Sequence, residues 1–427
     1  MPLNKLKEFE TKIHGPFGGI KYTALKNALH NYYNTLNAID GDLSLTFFSL
    51  PEEETEFDND NHQFEGYQDA FISTIINFHH FVELHIKEIL YQCHPLLATD
   101  MRKMDNATVL EYLESEKIIP SDRSIDFNTA LELLKDLKKS RDSVGKKFIL
   151  DSKHDFLLEL HNRNIIKKLF EYRNASLHKA DVLLPYIAFD YFISQHVLPL
   201  IKGILDTEPD YEYLNIERQT ASGIKVLKEI LEVKFVISDL KKDASNAFIK
   251  KIEKLAHLKE LGRSSYNIPT SIPVNLLKQK ISKLIEDDDD TDLEFGLSNK
   301  DLLEKCELAE ELAKIESEHV KVHNIHICPC CGAKTLLSYW KVDFPMPEMP
   351  IAYIEVNDAK CNFCGYAINA SMNDPHKFKI TKEKIFDTIE MGWPFDSLAP
   401  TTEDITLAYK GYAIITKKKS LPQKSNL

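Results

Sequence analysis

Residues 71–90 read FISTIINFHHFVELHIKEIL, and this stretch decides the fold class. Its apolar side chains recur at steps of three and four residues, which places them on one face of an α-helix. They are Phe71, Ile75, Phe78, Val82, Ile86 and Ile89. Pro95 follows shortly after the last of them, so the helix is expected to end before it. His79, His80 and His85 of the same stretch are interpreted as a polar helix face rather than as metal ligands.

Helical patterns continue on the C-terminal side of this stretch. Three further helices are predicted, at Asn128–Lys139, Asp155–His178 and Pro185–Ile204. Residues 65–205 are therefore predicted to form a helical domain, and residues 1–64 an N-terminal region without an assigned role. The fold class predicted for the chain is mainly α.

A second helical region is predicted over residues 206–320. Gly262 is expected to end one of its helices as a C-cap, and Ser298 or Asn299 to begin another. Between them, the run EDDDDTDLE at residues 286–294 indicates a solvated acidic linker, because like charges repel one another.

Two cysteine pairs stand near the C-terminus, in CPCCG at residues 328–332 and CNFCG at residues 361–365. Two cysteines separated by two residues can place both sulfurs on one metal ion from a tight turn. The glycine after each pair permits the positive φ that such a turn needs. The segments between and after the pairs are β-like. Residues 321–375 are therefore predicted to be a small β zinc ribbon, and residues 376–427 a C-terminal extension.

Four cysteines are the predicted ligands of one structural Zn²⁺: Cys328, Cys331, Cys361 and Cys364. Four thiolates would leave no open position for catalysis at the metal. Cys330 is the spare thiol of the first pair, and His323 and His326 are alternative ligands nearby.

The second set of candidate residues lies near the end of a predicted helix, in EYRNASLH at residues 171–178. Arg173 can bind a phosphate through two parallel hydrogen bonds, and His178 can carry a proton near neutral pH. Asn174 could orient either group. On a regular helix Arg173 and His178 lie roughly 140° apart. Either the helix ends between them, or two copies of the motif assemble a composite site.

These residues resemble the HEPN superfamily of α-helical ribonucleases. The family signature is Arg, four to six residues, then His, with Asn, Asp or His favoured directly after the Arg. Arg173, Asn174 and His178 match it, and the helix with Glu83 and Lys87 is similar to the family's first helix, although the part these two play at the site stays open. The resemblance covers about 140 residues and implies an antiparallel helical bundle at 65–205.

The resemblance implies a metal-independent endoribonuclease, in which the substrate's own 2′-OH attacks the phosphate. It also implies a homodimer, because catalytic members pair and this chain carries the motif once. RNA is the expected substrate, the expected role is that of a toxin or phage-defence effector, and an antitoxin or a trigger protein is a further expected partner. A non-catalytic module that binds nucleic acid or protein is the alternative.

Composition limits where such a chain acts. The formal net charge is −13 over 427 residues, which argues against a surface covered in nucleic acid, although residues 146–179 are locally +4. We find no signal peptide and no apolar stretch long enough to span a bilayer. A cytoplasmic protein without a membrane partner is therefore expected.

Overall fold

A computed structural model of the chain describes residues 18–39, 65–100, 107, 110, 124–144, 150–178, 183–208, 216, 218–235, 246–268, 274–279, 293–318, 322–343, 351–368 and 384–390. The described residues divide into two compact units. The first takes those of Met1–Ala38 and Leu50–Ile216, and the second takes those of Ile39–Ser49 and Glu217–Leu427.

The described part of the first unit is built from helices. They are α1 (Gly18–Asn34), α2 (Glu65–Cys93), α3 (Phe127–Val144), α4 (Leu160–His178), α5 (Tyr186–Phe192) and α6 (Leu198–Asp206). Short 3₁₀ turns occupy Asn37–Ile39, Pro95–Ala98 and Ser152–Leu158, and a π-helical turn occupies Ile193–Val197. The mainly helical fold class is thus confirmed.

Two of the predicted helices are interrupted, each for a local reason. The helix predicted from Asp155 begins only at Leu160, as α4. Residues Ser152–Leu158 form a 3₁₀ turn instead, because the backbone of Glu159 (φ −59°, ψ 143°) is not helical. The helix predicted from Pro185 to Ile204 contains the π-turn, which directly precedes the first turn of α6. Pro199 lies in that first turn and has no N–H for the helical hydrogen-bond ladder, so the ladder shifts there.

The core of the first unit joins α1 to the predicted helical domain. Leu25, Leu29 and Tyr32 of α1 are fully buried, and α1 packs along α2. Phe189 of α5 lies at the centre, with its ring 4.7 Å from that of Phe71 and 6.2 Å from that of Tyr32. Each such buried side chain contributes roughly 1.5–3 kcal/mol of apolar burial. A helix from the region without an assigned role is therefore part of this core.

The second unit combines helices with one antiparallel sheet. Its helices are α7 (Val226–Glu232), α8 (Asn246–Tyr266) and α9 (Leu293–Glu316), and residues 274–279 are also helical. Its strands are β1 (Val322–His326), β2 (Leu336–Asp343), β3 (Ile351–Cys361), β4 (Ala367–Ile368) and β5 (Lys384–Glu390). The strand order is β1-β2-β3-β4, and β5 also pairs with β3.

Two helix boundaries predicted in this unit are wrong. Gly262 does not cap α8, which continues to Tyr266, and it is not among the glycines with positive φ in the described residues. Ser298 and Asn299 do not begin α9, which starts at Leu293, within the predicted acidic linker. A glycine, serine or asparagine inside a helix costs about 1 kcal/mol or less, which packing along the rest of a long helix outweighs. Residues 286–292 of the linker lie outside the described part.

Hydropathy adds one finding about membranes. Among the described residues, the helices are all either too short or too polar to cross a bilayer.

Candidate functional site

The two cysteine turns of the second unit share one backbone design. In the first, the amide of Gly332 donates to the carbonyl of Cys328 at 2.9 Å, and in the second the amide of Gly365 donates to that of Cys361 at 3.0 Å. The two glycines have φ values of 80° and 73°. The positive φ expected from the sequence is confirmed at both turns, and a Cβ at Gly332 would lie 2.4 Å from Oδ1 of Asn275.

The structure brings the four predicted ligand sulfurs together. Sγ of Cys328 lies 3.7 Å from that of Cys364, and Sγ of Cys331 lies 3.8 Å from that of Cys361. All four sulfurs lie within 4.8 Å of one another, and all four cysteines are buried. A metal ion with sulfur ligands at about 2.3 Å in a tetrahedron requires sulfurs about 3.8 Å apart. The four cysteines can therefore hold one metal ion.

The chemistry of the cluster also favours a cation. Burial raises the pKa of the Cys328 thiol well above its ordinary value. Four thiolates at this spacing repel one another, so they cannot ionise together unless a positive charge lies among them. A divalent metal ion supplies that charge and deprotonates its thiol ligands.

Helix α8 and Asn267, the residue that directly follows it, fix the second cysteine turn. The guanidinium of Arg263 donates to the carbonyl of Gly365 at 2.6 Å, and the side-chain amide of Asn267 donates to that of Cys364 at 3.0 Å. Glu260, which is 1% exposed, accepts from the amide of Ala367 at 2.8 Å. The cluster therefore lies in a helical setting that the cysteine spacing does not predict.

Of the other candidate ligands, Cys330 and His326 do not join the cluster. The thiol of Cys330 is buried 3.7 Å from the carbonyl oxygen of Leu261. Nε2 of His326 lies 3.0 Å from Oγ of Ser338. The side chain of His323 lies outside the described part. The four-cysteine set is thus the one that the geometry supports.

In the first unit, Arg173 and Asn174 lie on α4 and contact each other. Nη1 of Arg173 donates to Oδ1 of Asn174 at 2.9 Å, and both side chains are half-buried. This bond leaves the other guanidinium nitrogens of Arg173 for another acceptor. His178 is the last residue of α4, and its side chain lies outside the described part. The helix does not end between Arg173 and His178, so one of the two arrangements left open by the sequence is absent.

A line of polar side chains on α2 lies close to Arg173. His79, Glu83 and Lys87 recur every four residues; Nδ1 of His79 lies 3.7 Å from Oε2 of Glu83, and Nζ of Lys87 donates to Oε1 at 2.6 Å. Lys87 also donates to Oγ of Ser124 at 2.8 Å. Burial is the main cause that lowers the pKa of His79 to about 4; Glu83 opposes the shift and the positive charge of Arg173 adds to it.

The interpretation of the three histidines as a polar helix face is wrong for two of them. His79 and His85 are 2% and 1% exposed, and only His80 faces solvent. The ring of His79 packs against those of Phe127 and Phe170, with centroids 4.7 and 5.6 Å away. The sequence signal was available, because His79 and His85 lie within the apolar stripe of α2.

His85 belongs to a buried charged cluster that the sequence did not reveal. Nδ1 of His85 lies 3.1 Å from Glu208, and Lys21 pairs with both Glu208 and Glu88. Burial opposes ionisation, but hydrogen bonds from His85 and Lys21 lower the pKa of Glu208 to about 2. The ligand atoms of His85, Glu88 and Glu208 lie within 4.8 Å of one another. Lys21 supplies the positive charge there, so the cluster serves as a structural ion network.

Comparison with known proteins leaves these sites to be interpreted from their geometry. No protein-family model matches the chain, and neither a curated protein nor a solved structure matches it.

Proposed function

We propose that the chain is a metal-independent endoribonuclease of the HEPN type that uses Arg173, Asn174 and His178. The observation that carries the proposal is the hydrogen bond from Arg173 to Asn174 on α4, one helical turn before His178. It holds a permanent cation in a defined orientation on the helix whose last residue, His178, can move protons. The alternative is a non-catalytic module that binds nucleic acid or protein.

The reaction follows from the chemistry of these side chains. His178 takes the proton of a ribose 2′-OH, whose oxygen then forms a bond to the adjacent phosphorus. The guanidinium of Arg173 binds the phosphate oxygens and stabilises the charge that develops on them. The bond from phosphorus to the 5′-oxygen breaks as that oxygen takes a proton from water and leaves as a hydroxyl, and His178 returns the proton it took to the solvent. The products are a 2′,3′-cyclic phosphate and a 5′-hydroxyl.

A homodimer supplies the site in this proposal. Arg173 and His178 lie roughly 140° apart around one continuous helix, so the two side chains of one protomer do not face one phosphate together. In the proposed dimer, two copies of α4 pair about a two-fold axis that passes close to both motifs, so that Arg173 of one protomer lies near His178 of its partner. Two exposed leucines on α4, Leu160 and Leu177, offer apolar area for such pairing.

We propose Zn²⁺ as the metal ion of the cysteine cluster. A closed set of four thiolates is typical of structural zinc. Cys328, Cys331, Cys361 and Cys364 would hold it, and the ion would stabilise the turns that join the strands to α8. The expected biological role, a toxin or phage-defence effector controlled by an antitoxin or a trigger protein, rests on the resemblance to the HEPN superfamily alone.

The test is cleavage of mixed RNA by the purified protein in the presence of EDTA. Fragments should end in 2′,3′-cyclic phosphate and 5′-hydroxyl, and DNA of the same sequences should stay intact because it lacks the 2′-OH. His178→Ala and Arg173→Ala should each reduce cleavage by about 10²–10⁴-fold. His161→Ala is the matched control, since His161 is exposed on the same helix and outside the motif.

Four results would reject this proposal. A requirement for added Mg²⁺ or the appearance of 5′-phosphate ends would indicate a different mechanism. Full activity in His178→Ala would indicate a different active site. Binding of RNA without any cleavage would favour the non-catalytic module.

A further inference from the structure

An open basic groove of about 540 Å³ lies between α3 and α4 of the first unit. It is lined by Lys135, Lys138, Lys139, Asp142, Leu158 and Arg163. Four of these six side chains are cationic and one is anionic. The groove is therefore strongly positive although the whole chain has a net charge of −13.

Two of the cations are not neutralised by neighbouring acids. Lys135 pairs with Glu132, and Nζ of Lys138 lies 3.6 Å from Asp155. Within the part of the chain that the structure describes, Lys139 and Arg163 have no acidic group within 4.0 Å. Lys139 is exposed and Arg163 is half-buried, so both remain available to an external anion.

The acids around the groove are already paired with another cation. The guanidinium of Arg141 binds both carboxylate oxygens of Asp155, at 3.1 and 2.7 Å, and it contacts Asp142 at 2.9 Å. Hydrogen bonds from Arg141 lower the pKa of Asp155 below its ordinary value. These acids therefore repel an incoming anion less than free carboxylates would.

Helix α4 connects the groove to the proposed active site. Arg163 and Asn174 are eleven residues apart, which places them about 20° apart around the helix and about 16 Å apart along it. Lys167, which is exposed, lies between them on the same face. A single strand of a few nucleotides spans this distance, so its phosphates could lie on Lys139 and Arg163 while another phosphate lies at Asn174.

We propose that this groove binds the phosphate backbone of single-stranded RNA on one side of the cleavage point. The inference rests on the ribonuclease proposed above, whose substrate strand the groove holds. Lys139 and Arg163 bind phosphates and do not touch the reacting atoms. They set how tightly a long strand binds, and the groove adds no base recognition.

The experiment compares the full-length wild-type protein with Lys139→Gln/Arg163→Gln. Binding is measured by fluorescence anisotropy on a labelled 12-nucleotide RNA with 2′-O-methyl groups, which cannot be cleaved by 2′-OH attack. The double variant should bind about tenfold more weakly or worse at moderate salt. The slope of log K against log salt should fall by about 1.4, because two phosphate contacts are lost. Cleavage of an ordinary dinucleotide, whose single phosphate occupies the cleavage point, should be unchanged.

Lys250→Gln/Lys251→Gln is the control, because it removes two exposed charges from α8 and gives the same net charge. Equal weakening in the control would overturn the groove, since net charge alone would then explain the effect. If the wild type cleaves RNA and the groove variant binds RNA as tightly as the wild type, the proposed role of the groove is wrong and the ribonuclease proposal is kept.

Binding that depends on the groove, in a protein that does not cleave, would support the groove and reject the ribonuclease. Tighter wild-type binding to an acidic peptide of the same charge than to the RNA would overturn the assignment to nucleic acid.

Discussion

The cysteine cluster and the Arg173 motif are both short patterns of spaced residues in the sequence. The structure shows all the expected contacts of the first and only one contact of the second. The cluster is complete within one chain, with four sulfurs within 4.8 Å and two turns of the same design. The motif gives one contact, from Arg173 to Asn174, on a continuous helix that places Arg173 and His178 roughly 140° apart. The difference lies in what each site needs: the cysteine cluster needs two turns of one chain, whereas the proposed nuclease site needs a second protomer.

The largest effect should come from breaking the metal site. Cys328→Ser/Cys361→Ser should lower the metal content from about one Zn²⁺ per chain to near zero and unfold the second cysteine turn. Metal binding at such sites contributes about 10–16 kcal/mol of folding free energy at neutral pH. Elemental analysis of the purified protein measures the metal content, and circular dichroism measures the loss of structure.

Cys330→Ser provides the matched control for that experiment. Cys330 is equally buried and lies between two of the ligands in sequence, but its thiol faces the carbonyl of Leu261. This variant should keep its full metal content. Full metal content in the double variant would show that the four-ligand assignment is wrong.

The fold was predictable where one pattern determined one element. The period of α2 predicted a long helix, and the cysteine spacing predicted both glycine turns with positive φ. The start of α9 and the continuation of α8 through Gly262 were missed, because packing along a long helix outweighs a local capping preference. The sequence also missed the setting of the cysteine cluster, since Glu260 and Arg263 reach it from about 100 residues away in the chain.

The buried ion network of the first unit shows the same limit. Lys21, Glu88 and Glu208 come from three distant parts of the chain, and no spacing rule connects them. The Arg173–Asn174 bond was predictable in type, because the two residues are adjacent. The burial of His79 is predictable from its place in the apolar stripe, although the polar imidazole alone favours a solvent-facing position.

The second largest effect concerns the composite site. Arg173→Ala and His178→Ala should each be nearly inactive. When the two variants are refolded together or co-expressed, the mixed sample should recover about a quarter of the wild-type activity. Half of the randomly formed dimers are mixed, and each mixed dimer has one site with an intact Arg173 and an intact His178. RNA cleavage by the mixture measures this. Absence of any recovery, with mixed dimers demonstrated by differently tagged chains, would reject the composite site.

A smaller effect is expected from pH in the first unit. Burial lowers the pKa of both His79 and His154 from 6.5 to about 4 in the folded state. Between these values the unfolded chain binds more protons, so stability falls as the pH falls from 6.5 to 4. Each histidine should remove about 2 kcal/mol of unfolding free energy between pH 7 and pH 5. Urea unfolding followed by circular dichroism at both pH values measures the loss.

Substitution of single histidines separates this effect from general acid destabilisation. His79→Gln should show a smaller loss between pH 7 and pH 5 than the wild type, because it cannot take up a proton. His80→Gln, the neighbouring exposed position on α2, should behave like the wild type. The same pH dependence in His79→Gln as in the wild type would show that His79 is not the buried titrating group.

The smallest effect should come from Asn174. It tests whether Arg173 is held in place by its own chain, as the four cysteines are. Asn174→Ala removes the acceptor that holds Nη1 of Arg173, a hydrogen bond to a charged group that is half-exposed. We expect kcat/KM for RNA to fall by about tenfold, which corresponds to about 1.4 kcal/mol. Asn174→Asp keeps an acceptor at the same place and should recover most of the loss. Asn164→Ala, at an exposed position on the same helix, should cleave RNA at the wild-type rate. If Asn174→Asp is as slow as Asn174→Ala, Asn174 acts through its amide nitrogen on the substrate, and the orientation of Arg173 depends on the partner protomer.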